Sequence, residues 1–346
     1  MALRADGWGG HRSVSNRSKG RDSSMMQLYL IGLSAGFATA LLYASVASGS
    51  LLSVVLFYLA PLPILIAALG WSHWAALIAV VVASVSLAAL FGAFFFIAFL
   101  LGVGLPAWWL GYLALLARPA ATAPGGLEWY PVGHLVLWAA IISALIVTAV
   151  MINFGADEES FRASLRRGLE RMFSPSERSA SGPAAPVPRP ELSPLIELMI
   201  VALPPAAAVL TTVTGVANLW LAKCIVKVSG RLRRPLPDLA AMQFPAAAPA
   251  ITALAIAAWF LPGLPGTVGS VFSASLLTAY AILGFAVLHA MTRGRGGRPF
   301  VLSGIYVAVI VFAWPALLMS LLGLADTAFD LRGRIDRKRN PPHSGT

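Results

Sequence analysis

The sequence predicts an all-α integral membrane protein with about eight or nine transmembrane helices in two blocks, joined by an amphipathic helix and a Pro-rich linker. Three observations predict it. Apolar residues make up 58% of the 346-residue chain and charged ones 11%, against roughly 45–50% and 25% in ordinary soluble domains. The apolar residues fall into runs of about 20, the length a helix rising 1.5 Å per residue needs to cross a hydrocarbon core of about 30 Å. One long polar stretch, Phe154 to Pro194, interrupts them and divides a first block (25–153) from a second (195–323).

Residues 1–24 carry Arg4, Arg12, Arg17, Lys19 and Arg21 among Gly and Ser with no apolar period, and read as a disordered basic tail. Met25 and Met26 stand directly before the first apolar run and are a second possible start of translation. Ser45-Val46-Ala47 has the form of a signal cleavage site, but the long n-region and the many later spans favour an uncleaved first helix. That helix, Gln27 to Ala47, repeats Gly32, Gly36, Ala40 and Ala44 every four residues, a ladder that lets another helix approach closely. The partner of this face is either another helix of the same chain or a second protein.

Leu51 to Gly70 is the second span, broken by Pro61 and Pro63, with Trp71, His73 and Trp74 at its interface. The run to Leu116 is too long for one helix and must turn near Gly92, giving spans 74–90 and 93–116, the latter kinked by Pro106. A Pro/Gly loop follows, then a fifth span, 132–152, with His134 near its entry as a headgroup contact.

The central stretch has two parts. From Asp157 to Phe173 a helical period places Phe161, Leu165, Leu169 and Met172 on one face and Arg162, Arg166, Arg167 and Arg171 on the other. Asp157, Glu158 and Glu159 at its start complement the helix dipole. It reads as a helix lying among headgroups or as a solvated connector. Ser174 to Pro194 is Pro/Ser/Ala-rich and reads as a mobile linker.

In the second block, 195–221 spans with Pro204-Pro205 interrupting the helix, 249–261 is a short seventh span, 268–291 an eighth, and 300–322 a ninth containing Pro315. Cys224 reads as a buried thiol, and as the only cysteine it excludes an internal disulfide. The arginines after Lys223 and the 293–298 run vote cytoplasmic, which agrees with a cytoplasmic N-terminus after six and eight spans. A ninth span would put the basic 324–346 tail outside, so either that tail is an exception or one short segment does not cross. The net charge of +11 sits in tails and loops between apolar runs. This distribution fits topology and anionic lipid headgroups as partners, and not nucleic acid.

Asn218 lies at membrane depth, with Lys223 and Lys227 following one and two turns later. Asn218 and Lys223 are candidate ligand contacts, and interhelical glue is the alternative reading of Asn218. Asp326, Asp330 and Arg332 form a candidate C-terminal motif, and Asp330 stands four before Arg334, a spacing that can also pair at a helix end. No phosphate-binding Gly-rich loop, HExxH pair, paired serine and histidine or deep intramembrane acid is present, so no catalytic residue, cofactor or metal ligand is read. Two functions remain: a small-molecule binding or transport subunit, and a scaffold or assembly factor working through the 157–173 helix and the C-terminal segment.

The runs Gly32-Leu33-Ser34-Ala35-Gly36 and Leu59-Ala60-Pro61-Leu62-Pro63, the segment Asn218 to Lys223, and the ending Gly323-Leu324-Ala325-Asp326 with Phe329-Asp330-Leu331-Arg332 carry a family resemblance. On these motifs, most of 27–332 resembles the YybS-like family of bacterial multi-spanning membrane proteins (domain of unknown function 2232). The resemblance implies residence in the bacterial cytoplasmic (inner) membrane and brings no established activity. The general plan is also similar to the substrate-binding components of energy-coupling-factor vitamin transporters, whose first helix has small residues at four-residue spacing, as at Ala40 and Ala44. The extra spans and the central insert depart from those components.

Overall fold

The structure, a computed structural model, describes residues 11–121, 126–155, 157–173, 192–234, 242–294 and 296–334, with side chains from 25 onward. Most of the linker 174–194 and the tail beyond 334 therefore lie outside the described residues. Among those described, seven helical segments are long and apolar enough to cross a membrane, and three further apolar helices are shorter. The chain forms two compact units, 1–127 with 218–235, and 128–217 with 236–346. These units cut across the two blocks read from the polar stretch: the fifth span belongs with the later helices, and the end of the sixth belongs with the first four.

In the first unit, α1 (His11–Ala44) carries helical backbone back into the stretch read as a disordered tail, and a 3₁₀ turn, Ser45–Ser48, closes it. The second span is two helices, α2 (Leu51–Tyr58) and α3 (Pro61–Gly70), as its prolines require. Ser50 caps α2 by accepting from the Ser53 N–H at 3.1 Å. α4 (His73–Phe91) ends at Gly92, whose φ of 93° is open to glycine and costly for any L side chain, so the chain reverses there. α5 (Ala93–Phe99) and α6 (Leu105–Leu115) are joined by a π-helical turn, Leu100–Gly104, in which the Leu105 N–H donates to the Leu100 carbonyl. Pro106 has no N–H to offer the carbonyl four residues back, and the wider turn takes up the mismatch. The core sets small residues, Ala60, Ala68, Ala75, Ala76, Ala79 and Ala83, beside the larger Ile64, Leu65, Leu87 and Phe99, all essentially covered. Such packing brings helix backbones close, the main source of association between helices in lipid.

A short two-stranded pair, β1 (Ala117–Pro119) and β2 (Leu127–Trp129), closes the Pro/Gly loop. The second unit is built on α11 (Leu264–Met291). Val136, Leu137 and Ala140 of α7 (Val132–Phe154) pack with Leu276, Ala279, Tyr280 and Leu283 of α11 and with Phe244 before α10 (Ala248–Trp259). This packing is why the fifth span joins the later helices. α8 (Glu158–Phe173) follows α7.

α9 (Ser193–Val228) is unbroken helix across Pro204-Pro205, where an interruption was expected, and only its last turns, from Asn218, belong to the first unit. The expected ninth span is two helices, α12 (Arg298–Phe312) and α13 (Pro315–Phe329). Between them Ala313 has φ 57° and ψ −44°, and the Trp314 N–H donates to the Phe312 carbonyl at 2.6 Å, a three-residue γ-turn. α12 buries no residue.

Candidate functional site

The break between α2 and α3 explains the position of Asn218. In an unbroken helix the Tyr58 carbonyl would accept from the Leu62 N–H, but that N–H turns to Leu59 at 2.9 Å. Pro61 and Pro63 have no N–H to substitute. The Tyr58 carbonyl is filled from another helix: Asn218 Nδ2 donates to it at 2.8 Å, with the Asn218 residue 3% exposed. A freed carbonyl at membrane depth needs such a partner, so Asn218 here serves as a bond between helices. The prolines marked the break, but only folding revealed which side chain would fill it.

Lys223 lies half-buried a little over one turn further along α9. It makes no contact with the Asn218 bond in the described hydrogen bonds; it belongs to a basic end of the first unit. There Arg231 lies over the Trp71 ring, 4.7 Å from its centroid, and Arg234 Nη1 donates to the Ala114 carbonyl in the last turns of α6 at 3.3 Å. Burial pulls the Arg234 pKa below the ordinary arginine value, though a guanidinium remains charged at neutral pH. The α3–α4 turn, the end of α6 and the end of α9 therefore meet at one end of this unit. Sequence reading counted the arginines but missed their contacts, for which Trp71 was the only signal. Cys224, expected to be buried, is partly exposed.

The C-terminal motif closes on itself. Asp326 is 6% exposed at the end of α13, and its carboxylate accepts from Arg332 at 2.7 Å (Nη2 to Oδ2), 2.9 Å (Nε to Oδ2) and 3.1 Å (N to Oδ1). Arg332 Nη2 also donates to the Met242 carbonyl at 2.7 Å, tying the terminus to the segment before α10. Asp330 ends α13 in the left-handed conformation, φ 49°, and its Oδ1 accepts from the Gly333 N–H at 3.2 Å. Gly323 precedes the motif because its Cα lies against the Tyr280 carbonyl of α11, and Gly284 lies likewise against that of Met319. A methyl group at either position meets backbone.

The small-residue face of α1 is occupied within the chain. A Cβ on Gly32 would meet Ile78 at 2.6 Å and the Ala75 carbonyl at 3.0 Å, and one on Gly36 would meet Val82 at 2.6 Å and the Ala79 carbonyl at 2.8 Å, all on α4. Ala40 is 5% exposed and Ala44 is partly covered. Of the two partners considered for this face, α4 of the same chain lies against Gly32 and Gly36. On α8, Phe161 packs with Met151, Ala208 and Val271, while Leu169 packs with Ile196 and Ile200, and Arg166 pairs with Glu197. That part of its apolar stripe is spent on the second unit, and Met172 remains exposed. His134 stacks edge-on to Tyr130 with centroids 5.5 Å apart. Among the described residues no group of three His, Cys, Asp or Glu side chains could hold a metal ion.

No curated protein and no solved structure matches the chain. A family model described as "Predicted membrane protein (DUF2232)" matches residues 37–327, from within α1 to within α13, and so includes the small-residue face beyond Gly36, the α2–α3 break, Asn218 and Asp326. With multiple apolar helices and a match over most of its length, the chain belongs to this DUF2232 family of membrane proteins.

Proposed function

We propose that the protein is a non-catalytic small-molecule binding or transport subunit of a bacterial cytoplasmic membrane, with its N-terminus on the cytoplasmic side. The observation that carries this reading is the interrupted α2–α3 span with Asn218 bonded at its break. Backbone that leaves the helix at membrane depth is tolerated where protein or a water-filled cavity covers it, and in carriers such discontinuous helices mark where cargo binds. The second unit has its own interruption at Ala313 between α12 and α13, so a broken apolar segment occurs in each unit. The scaffold reading is less well supported, since Phe161, Leu169, Asp326 and Arg332 are already engaged within the chain.

Native mass spectrometry on protein extracted gently from its own membrane tests the reading. A reproducible small-molecule adduct, lost in Asn218→Leu while that variant still inserts, is the expected result. An adduct indifferent to Asn218→Leu defeats this form of the proposal. A co-purifying protein with no small molecule favours the scaffold.

A further inference from the structure

α12 buries no residue, whereas α7, α8, α10, α11 and α13 of the same unit each bury at least two. Leu302, Ile305 and Val309, one stripe at helical spacing, are half-buried, while Phe300 and Ile310 are 84% and 81% exposed. An apolar stripe of this kind holds a helix weakly in a bilayer, because acyl chains replace the apolar neighbours it leaves at little cost. Tyr306 stands beside that stripe and makes contacts that lipid does not replace. Its ring lies nearly parallel to that of Phe285 on α11, with centroids 5.0 Å apart and 3° between the planes. Its hydroxyl shares a hydrogen bond with His289 Nε2 at 2.9 Å. Phe285 and His289 are four positions apart and so lie on one face of α11, where the one side chain meets both.

Both ends of α12 have joints. Gly294, Gly296 and Gly297 stand in the turn before it, and a Cβ on any of the three meets nothing within 4 Å. Close packing therefore does not account for these glycines. Gly294 takes a φ of 79°, and what the three contribute together is backbone freedom. At the other end the γ-turn at Ala313 holds an alanine at positive φ, a strained conformation that a change of backbone angle relieves. The elements on either side of these joints are fixed to each other without α12. Gly284 of α11 lies against the Met319 carbonyl and Gly323 of α13 against that of Tyr280, and Ser320 Oγ donates to the Leu277 carbonyl at 2.7 Å. α12 is thus a loosely seated helix between two joints, on a frame that does not need it.

We propose that α12 is a flap that swings away from α11 on the joints at Gly294–Gly297 and Ala313, and that Tyr306, on Phe285 and His289, is the latch that holds it closed. Opening turns the Phe285 and His289 side of α11 toward the bilayer, while α11 and α13 stay in backbone contact. The flap stands on contacts within the second unit alone, and is independent of the Asn218 bond and of any cargo bound there.

The test measures distances by pulsed electron resonance between spin labels on the full-length protein in bilayer nanodiscs. The chain has one cysteine, so Cys224→Ser supplies the background. One label pair joins Leu254 of α10 to Val307 of α12, and the other joins Leu254 to Leu318 of α13; all three positions are exposed. In the parent a closed distance is expected to dominate the α10–α12 pair. Tyr306→Phe keeps the ring and loses the hydroxyl, and is expected to raise the ratio of open to closed about threefold, the equivalent of one average hydrogen bond between membrane helices. Tyr306→Ala, which loses the stack as well, is expected to raise it further, and the α10–α13 pair to stay as in the parent throughout. Tyr306→Phe leaves the packing in place, so the proposal remains testable if Tyr306→Ala does not fold. An α10–α12 distribution unchanged in Tyr306→Phe and in Tyr306→Ala overturns the latch. An equal change in the α10–α13 pair overturns the flap, since α13 then moves with α12.

Discussion

The carboxylate of Asp326 holds Arg332 through the backbone N–H, Nε and Nη2 at once, and the same guanidinium reaches the Met242 carbonyl. The two side chains are 5% and 11% exposed. Removing one member leaves the other buried without its partner, a change that costs about 3–5 kcal/mol where such pairs have been broken. Asp326→Ala and Arg332→Ala are each expected to lower the midpoint of denaturant unfolding in micelles, and the double variant to cost less than their sum. Strictly additive losses would show that the pair does not fix the terminus.

Asn218→Leu removes the donor to the Tyr58 carbonyl. Interhelical hydrogen bonds in membranes average about 0.6 kcal/mol, with a maximum near 1.7, so the variant is expected to insert and fold with a modest loss of thermal stability. Asn218→Gln, which retains an amide donor, is expected to recover part of that loss. A collapse of expression in Asn218→Leu would instead make the bond a requirement for assembly.

Gly284 and Gly323 are expected to tolerate no methyl group, since each would meet a backbone carbonyl that cannot move aside. Overpacking of this kind costs typically 1–3 kcal/mol, here taken as roughly that range. Gly304→Ala on α12 is the control, because beyond its own stretch of helix nothing lies within 4 Å of its added Cβ. Unfolding midpoints that fall equally in all three variants would defeat the account of α11 and α13 in backbone contact.

Ala313 takes a positive φ that favours glycine. Strain of this kind costs of order 1–3 kcal/mol, and Ala313→Gly is expected to recover part of it and raise the unfolding midpoint. A lowered midpoint would mean that the stiffness of alanine in the turn outweighs its strain.

Asp157 sits before α8, accepting from the Ser160 N–H at 2.8 Å and from the Ser160 hydroxyl at 2.9 Å. These bonds stabilise the ionised form and hold its pKa below the ordinary carboxylate value. A group whose folded pKa is depressed adds stability above its unfolded value, about 3.9, and loses it as pH falls through the folded value. Amide exchange in the first turn of α8, corrected for intrinsic rate, is expected to quicken on acidification through that window. Asp157→Asn is expected to remove that acid dependence.

The sequence by itself determined the membrane class, the run lengths, the turn at Gly92, the break at Pro61 and Pro63, and the family resemblance. Each is written in local chemistry: a proline lacks an N–H wherever it falls, and an apolar run of sufficient length suits lipid whatever surrounds it. The tertiary structure decided that α4 fills the Gly32 and Gly36 face, that Asn218 meets the Tyr58 carbonyl, and that Arg332 closes on Asp326 and Met242. It also decided that α7 joins the later helices and that the 300–322 run folds as two helices. The physical reason is rotational phase. A helix apolar on every side carries no stripe that says which face turns toward which neighbour, so its few polar atoms and small residues find their partners only when the helices pack.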